Sequence, residues 1–215
     1  MRRLFHSIQN DIKNDHTFDQ KTMLAIFCLI IVIAGIFGFL YEFIFYYFNG
    51  GMKEFYWRGG NFLPWINIYA TGSLLIYFLT YKHRRNPWKV FLIGFFACGL
   101  LELISGWGMD LVRNGDRCWD YNHEILNFGN IGGYVCFRSA FFFGISSLLL
   151  MYIVVPLCFH LARTMNRKTF FIMSITLCSI ILIDELYNLL FARLFSLPRA
   201  YDVYKKIGFH FVTFK

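Results

Sequence analysis

Gly106-Trp107-Gly108-Met109-Asp110 and, shortly after it, Arg117-Cys118-Trp119-Asp120-Tyr121-Asn122 crowd acids, an arginine, indoles and a phenol between two long apolar runs. Charge near a bilayer is expensive unless it pairs or lines a wet cavity, so the cluster reads as a functional site. Glu42, Arg58, Tyr69, Asn130, Arg138 and the Asp184-Glu185 pair belong with it. A Glu or Arg at a helix end can simply snorkel. Glu102, Arg138 and Asp184-Glu185 are harder to dismiss, because they interrupt apolar runs where an Arg or Asp costs about 2.5–3.5 kcal/mol on insertion scales. Together the set predicts a polar cavity that takes a small polar or amphiphilic ligand.

Catalytic templates are weaker. His123 with Asp120 and Glu124 could do acid–base work, against the alternative of a solvated loop histidine. The chain has no G-x-S-x-G elbow, no H-E-x-x-H and no phosphate-cradling glycine loop. No CxxC or Cys/His spacing suggests a metal, and no cofactor is expected. Cys28, Cys98, Cys158 and Cys178 fall inside apolar runs, while Cys118 and Cys136 flank the polar loop, where a disulfide is geometrically possible in an oxidising space.

The elements that must position these residues are membrane spans. Of 215 residues, 57% are hydrophobic and 16% charged, with 27 Phe and 13 Tyr spread over the whole length. Ordinary soluble domains carry roughly 25% charged residues. The expectation is an all-α, polytopic transmembrane bundle of about five spans: Met23 to Phe48, Ile66 to Thr80, Val90 to Val112, Gly133 to Leu161 and Thr169 to Phe195. Residues 1–21 read as an inner-surface amphipathic segment or a tail, 22–195 as the transmembrane domain and 196–215 as a C-terminal tail. Pro64 suits the first turn of the second span. Gly35, Gly38, Gly94 and Gly99 suit close helix packing.

The basic residues of the net +8 charge cluster beside apolar segments, as in loops facing an anionic leaflet, and not in a nucleic-acid groove. Arg2, Arg3, Lys13 and Lys21 precede the first span, Lys82, Arg84, Arg85 and Lys89 join the second to the third, and Arg163, Arg167 and Lys168 join the fourth to the fifth. These loops are therefore expected inside, with a cytoplasmic N-terminus. Glu42, Arg58, Asp110 and Arg138 then share the outer face, and Glu102 and Asp184-Glu185 lie deeper in the same half.

Gly38-Phe39-x-x-Glu42, Arg58-Gly59, Pro64-Trp65-Ile66-Asn67-Ile68-Tyr69-Ala70-Thr71-Gly72, Gly106-Trp107 with an acid three residues on, Trp119-Asp120-Tyr121, Asn130, Gly133-Tyr134-Val135-Cys136 and a closing Pro156 occur in that order. This pattern resembles the ABC-transporter permease family of type IV, a group of small bacterial integral membrane proteins. Against that family's habit, Asn67 replaces a proline, Ala70 a glycine, Asp110 a glutamate and Tyr134 an arginine, for which Arg138 one turn later could substitute. The resemblance implies a permease-like subunit in a bacterial plasma membrane. With no Walker A motif in this chain, it also implies a separate ATPase partner. An intramembrane enzyme acting on lipid or envelope precursors near Asp110, Asp120 and His123, and a ligand-free accessory or sensor subunit, are the alternatives.

From the sequence Arg138 is expected to pair with Glu102, Asp110 or Asp120. The Trp119-Asp120-Tyr121 loop is expected to fold inward as a cap, with Asp120 facing Arg58 or Arg138.

Overall fold

The structure is a computed structural model describing residues 18–49, 52–53, 55–112, 117 and 119–209. Most of the amphipathic segment expected at the N-terminus, together with Cys118, lies outside the described residues. Apolar runs have no solvent for their backbone at bilayer depth, so each closes its hydrogen bonds within a helix. Five such helices follow one another: α1 (Gln20–Asn49), α2 (Asn67–Thr80), α3 (Pro87–Val112), α4 (Phe137–Thr164) and α5 (Arg167–Leu194). A short α6 (Ala200–Lys206) comes after them. The chain is a polytopic transmembrane helix bundle. Its α1, α3, α4 and α5 are long and apolar enough to cross a membrane.

Local chemistry sets the helix ends. The Asp19 carboxylate accepts from the Thr22 hydroxyl at 2.6 Å and from the Lys21 and Thr22 amides, capping α1. The Thr22 hydroxyl is also the main reason that the Asp19 carboxyl is held below its usual range. Arg167, at the start of α5, pairs with the same carboxylate. Asn166 caps α5 by accepting from the Lys168 and Thr169 amides. In α4, Pro156 offers no N–H to the preceding turn, and the helix widens just before it into a π-turn over Leu150–Val154.

Between apolar helices in lipid, packing at small residues carries association. A Cβ on Gly94 of α3 would stand 1.7 Å from Ser147 Oγ of α4, and one on Gly38 of α1 would stand 2.2 Å from the Tyr69 ring of α2. Gly35 likewise admits the Trp65 indole, 1.9 Å from where a Cβ would be. Gly99 differs, because its Cβ would meet Ala140 at an ordinary 3.5 Å. At the basic end, Ile26, Ile30, Val90, Met151, Phe159 and Phe170 join α1, α3, α4 and α5 in the buried core.

The second span departs from expectation. Its helix has 14 residues, about 21 Å at ~1.5 Å per residue, against a hydrocarbon core of ~30 Å. Pro64 is not in its first turn, because Ile66 is still extended and the helix begins at Asn67. The missing length is made up by a non-helical stretch in which Asn61, Trp65 and Ile66 are buried. Such backbone is tolerated at depth only where protein satisfies it. Here the Ile66 amide donates to the Gly35 carbonyl at 3.1 Å, and Asp184 of α5 accepts from the Phe62 and Leu63 amides at 3.1 and 2.6 Å. Helix α6 folds back on the same stretch: Tyr204 stacks on Trp57 at 4.1 Å, and its hydroxyl donates to the Phe62 carbonyl at 2.7 Å.

Candidate functional site

The residues singled out by sequence separate into three groups. The first is a continuous polar layer across α1, α3, α4 and the loops that follow α1 and α3. Arg58 donates to Glu42 at 2.7 Å and lies 4.4 Å over the Tyr46 ring. The Tyr46 hydroxyl donates to Glu124, whose other oxygen receives Arg138 at 2.5 Å. Arg138 sits 4.3 Å over Phe45 and 5.3 Å over Tyr121, and the Tyr121 hydroxyl donates to Glu102 at 2.5 Å. Ser139 donates to the second Glu102 oxygen at 2.7 Å. Tyr69 lies close enough to Glu42 and Glu102 to interact electrostatically with both.

Each contact has a local origin. Cys136 is extended and Ser139 occupies the third position of α4, where its hydroxyl receives the Cys136 amide and turns toward α3. That geometry puts Arg138 in the first turn of α4, facing the loop. Glu124 ends the short 3-10 turn of Tyr121–His123, so the acid points back under the loop. Burial lifts the Tyr121 phenol well above its ordinary range, and the adjacent Glu102 adds to the effect. Burial works against the Arg58 charge, but Tyr46 and Glu42 outweigh it and keep the guanidinium firmly protonated.

The second group is the loop between α3 and α4. The Asp110 carboxylate accepts from the Tyr134 hydroxyl and from Arg117, the latter at 3.3 Å. Arg117 also reaches the Gly132 carbonyl at 2.8 Å, Asp120 at 3.5 Å and the face of Tyr134 at 4.5 Å. The bond to Asp110 is the leading cause that raises the Tyr134 phenol. Asp120 caps the 3-10 turn by accepting from the Asn122 amide at 2.9 Å, and Asn130 ties Asn122 to Gly133. The Trp119 indole donates to the Tyr134 carbonyl at 2.8 Å. The loop therefore folds inward, but Asp120 faces Arg117 and not Arg58 or Arg138.

The third group is Asp184 and Glu185, which serve the stretch before α2. Besides the two amides taken by Asp184, Glu185 accepts from Asn61 at 2.6 Å and from Asn67 at 2.9 Å. Asn188, on the π-turn Tyr187–Phe191, donates to Asp184 at 2.8 Å and accepts from the Ala200 amide at 2.7 Å.

One expectation needs correcting. Arg138 pairs with Glu124, not with Glu102, Asp110 or Asp120, because the loop returns Glu124 beneath the start of α4. Trp107 stands 56% exposed on the outward side of α3. Cys136 is a free, buried thiol. The enzyme-like trio is also loosely built: Arg117 separates Asp110 from Asp120, and His123 is 68% exposed at 3.7 Å from Asp120. Among the described residues no three His, Cys, Asp or Glu side chains converge as metal ligands would.

Tyr46, Tyr134 and Ser139 were not singled out as site residues, whereas Arg117 entered with the loop cluster and Glu124 only as an acid beside His123. Tyr46 is one aromatic among many in its run, and Ser139 resembles any small helix residue. Glu124 did carry a signal, as an acid directly beside the Trp-Asp-Tyr loop.

Beneath the polar layer lies a cavity of about 230 Å³ among α1, α2, α3 and α4, whose wall is almost wholly apolar. Of the predicted site residues, Tyr69 alone lines it. The Ser146 hydroxyl, also on its wall, is buried without a hydrogen-bond partner.

A family profile described as "Putative ABC-transporter type IV" matches residues 29–189. No curated protein and no solved structure matches the chain.

Proposed function

Because the chain belongs to the type IV family of ABC transporters described above, we propose that it is the membrane-embedded, permease-like subunit of such a transporter. In this reading it resides in a bacterial plasma membrane with its N-terminus in the cytoplasm, works with a separate ATPase, and handles the polar part of an amphiphilic cargo at the polar layer. One observation carries the reading. Glu102 is 5% exposed, is held by the hydroxyls of Tyr121 and Ser139, and interacts electrostatically with Tyr69, which lines the apolar cavity. Polar groups converging at one end of an apolar pocket are the usual form of a small-molecule site. The carboxylate is thus placed to exchange a hydroxyl partner for a ligand group without breaking an ion pair. An intramembrane enzyme is the weaker reading, given the spacing of Asp110, Asp120 and His123.

Purification of the tagged full chain from its native membranes tests the proposal. An ATP-hydrolysing subunit should accompany it, and Glu102→Gln should keep that assembly while changing its ATPase rate. A chain that elutes folded and without any ATP-hydrolysing partner overturns it.

A further inference from the structure

We propose that the cavity among α1, α2, α3 and α4 binds one acyl chain of a bilayer lipid, admitted sideways between α1 and α4. The chain site stands whether or not the polar layer handles cargo, and only the assignment of its outer end to the headgroup rests on the transport reading.

Shape is the first argument. On α4 the wall runs from Phe143 to Val154, about 16 Å along the axis at ~1.5 Å per residue, and on α2 from Ile68 to Ile76. A volume of about 230 Å³ drawn out over that length is narrow and parallel to the helices, as lipid chains are. A compact ring would leave most of it unfilled. The second argument is the wall itself. Apolar cavities do not hold water, and a space of ~150 Å³ already suits a hydrocarbon the size of benzene.

The third argument is continuity with the bilayer. Phe37 of α1 and Leu149 and Ile153 of α4 line the cavity and are also among the exposed apolar side chains of the bundle. The medium at this rim is therefore hydrocarbon. Leu150, Ile153 and Val154 all belong to the π-turn that precedes Pro156, so the widened backbone forms part of the same wall. At the outer end Tyr69 separates the cavity from the acids of the polar layer. A lipid seated here keeps its head at that layer and its chain pointing toward the basic loops.

The test uses the purified full chain in nanodiscs containing phosphatidylglycerol with a diazirine midway along one acyl chain. After irradiation, crosslinks are expected on the wall of the cavity, at α2 near Gly72 and at α4 between Ser146 and Leu150. Labelling of the outward side chains Phe96 and Leu100 serves as the reference. A Cβ at Gly72 would meet Cys98 and Leu101 only at 3.7 and 3.8 Å, so Gly72→Phe enters the cavity from a tolerated position. It should lower the α4 crosslinks at least tenfold and leave the reference unchanged. Ser146→Phe fills the space from the opposite wall and decides the matter if the first variant does not fold.

Crosslinks confined to outward side chains, or α4 labelling unchanged in a folded filling variant, would overturn the site. If ATPase co-purification fails while the crosslinks persist, the transport reading falls and the chain site remains. The converse result removes the chain site alone.

Discussion

Glu124 of the α3–α4 loop and Arg138 of α4 meet at 2.5 Å, with the Glu124 side chain 2% exposed and Arg138 15% exposed. Removing one member of a buried pair strands the other and costs about 3–5 kcal/mol. Arg138→Leu should therefore lower stability by roughly that amount. The double variant Arg138→Leu, Glu124→Leu should recover part of the loss. Thermal unfolding of the four proteins in a double-mutant cycle measures the coupling, and additive losses would show that the two side chains act independently.

Asp120 acts locally, as a cap for Asn122 with Arg117 at its edge. Asparagine caps about as well as aspartate, whereas alanine costs about 0.5–2 kcal/mol. Asp120→Asn is expected to melt close to the wild type, with Asp120→Ala below both. A large loss in the asparagine variant would mean that the charge, and not the cap, holds the loop.

Asp184 accepts two backbone amides from the non-helical stretch before α2. Each donor orphaned by Asp184→Ala should cost about 1–3 kcal/mol. Protease cutting between residues 55 and 66 should accelerate more than cutting elsewhere. Unchanged cutting there would separate Asp184 from the anchoring of this stretch.

Gly94 and Ser147 give a test of packing with a built-in rescue. A Cβ at position 94 falls 1.7 Å from Ser147 Oγ, and overpacking of this kind typically costs about 1–3 kcal/mol. Gly94→Ala should destabilise, and Ser147→Gly should restore most of the loss. Failure of the rescue would place the strain elsewhere, for example on the Phe143 carbonyl at 3.3 Å.

The proposed orientation places His83 inside and Ile125 outside, and both are exposed. In a Cys118→Ser background, an impermeant thiol reagent applied to intact cells should label Ile125→Cys and spare His83→Cys. The reverse pattern would invert the topology and put the polar layer in the cytoplasmic half.

The sequence by itself determined the class of the molecule and the type of each major element. Apolar runs such as Met23 to Phe48 can satisfy their backbone in hydrocarbon only by i to i−4 bonds within the run. That information is local, so α1, α3, α4 and α5 were legible, as was the close packing at Gly38 and Gly94. The residues of the polar layer were partly legible too, because a charge inside an apolar run stands out by its cost. Glu42, Arg58, Glu102 and Arg138 do come together.

Only the tertiary structure decided which acid meets which base. Pairing depends on the rotation of each helix and on the path of the loops, neither of which leaves a periodic trace. Glu124 reaches Arg138 because the stretch between them doubles back through the Ile131–Val135 bridge, and Asp184 serves the Phe62 and Leu63 amides from the far end of the chain. The shortness of α2 was hidden for the same reason: an apolar run beginning at Trp65 satisfies a spanning pattern equally well as helix or as extended chain. The backbone stays non-helical up to Ile66 because Gly35 and Asp184, both distant in sequence, accept the amide hydrogen bonds of this stretch.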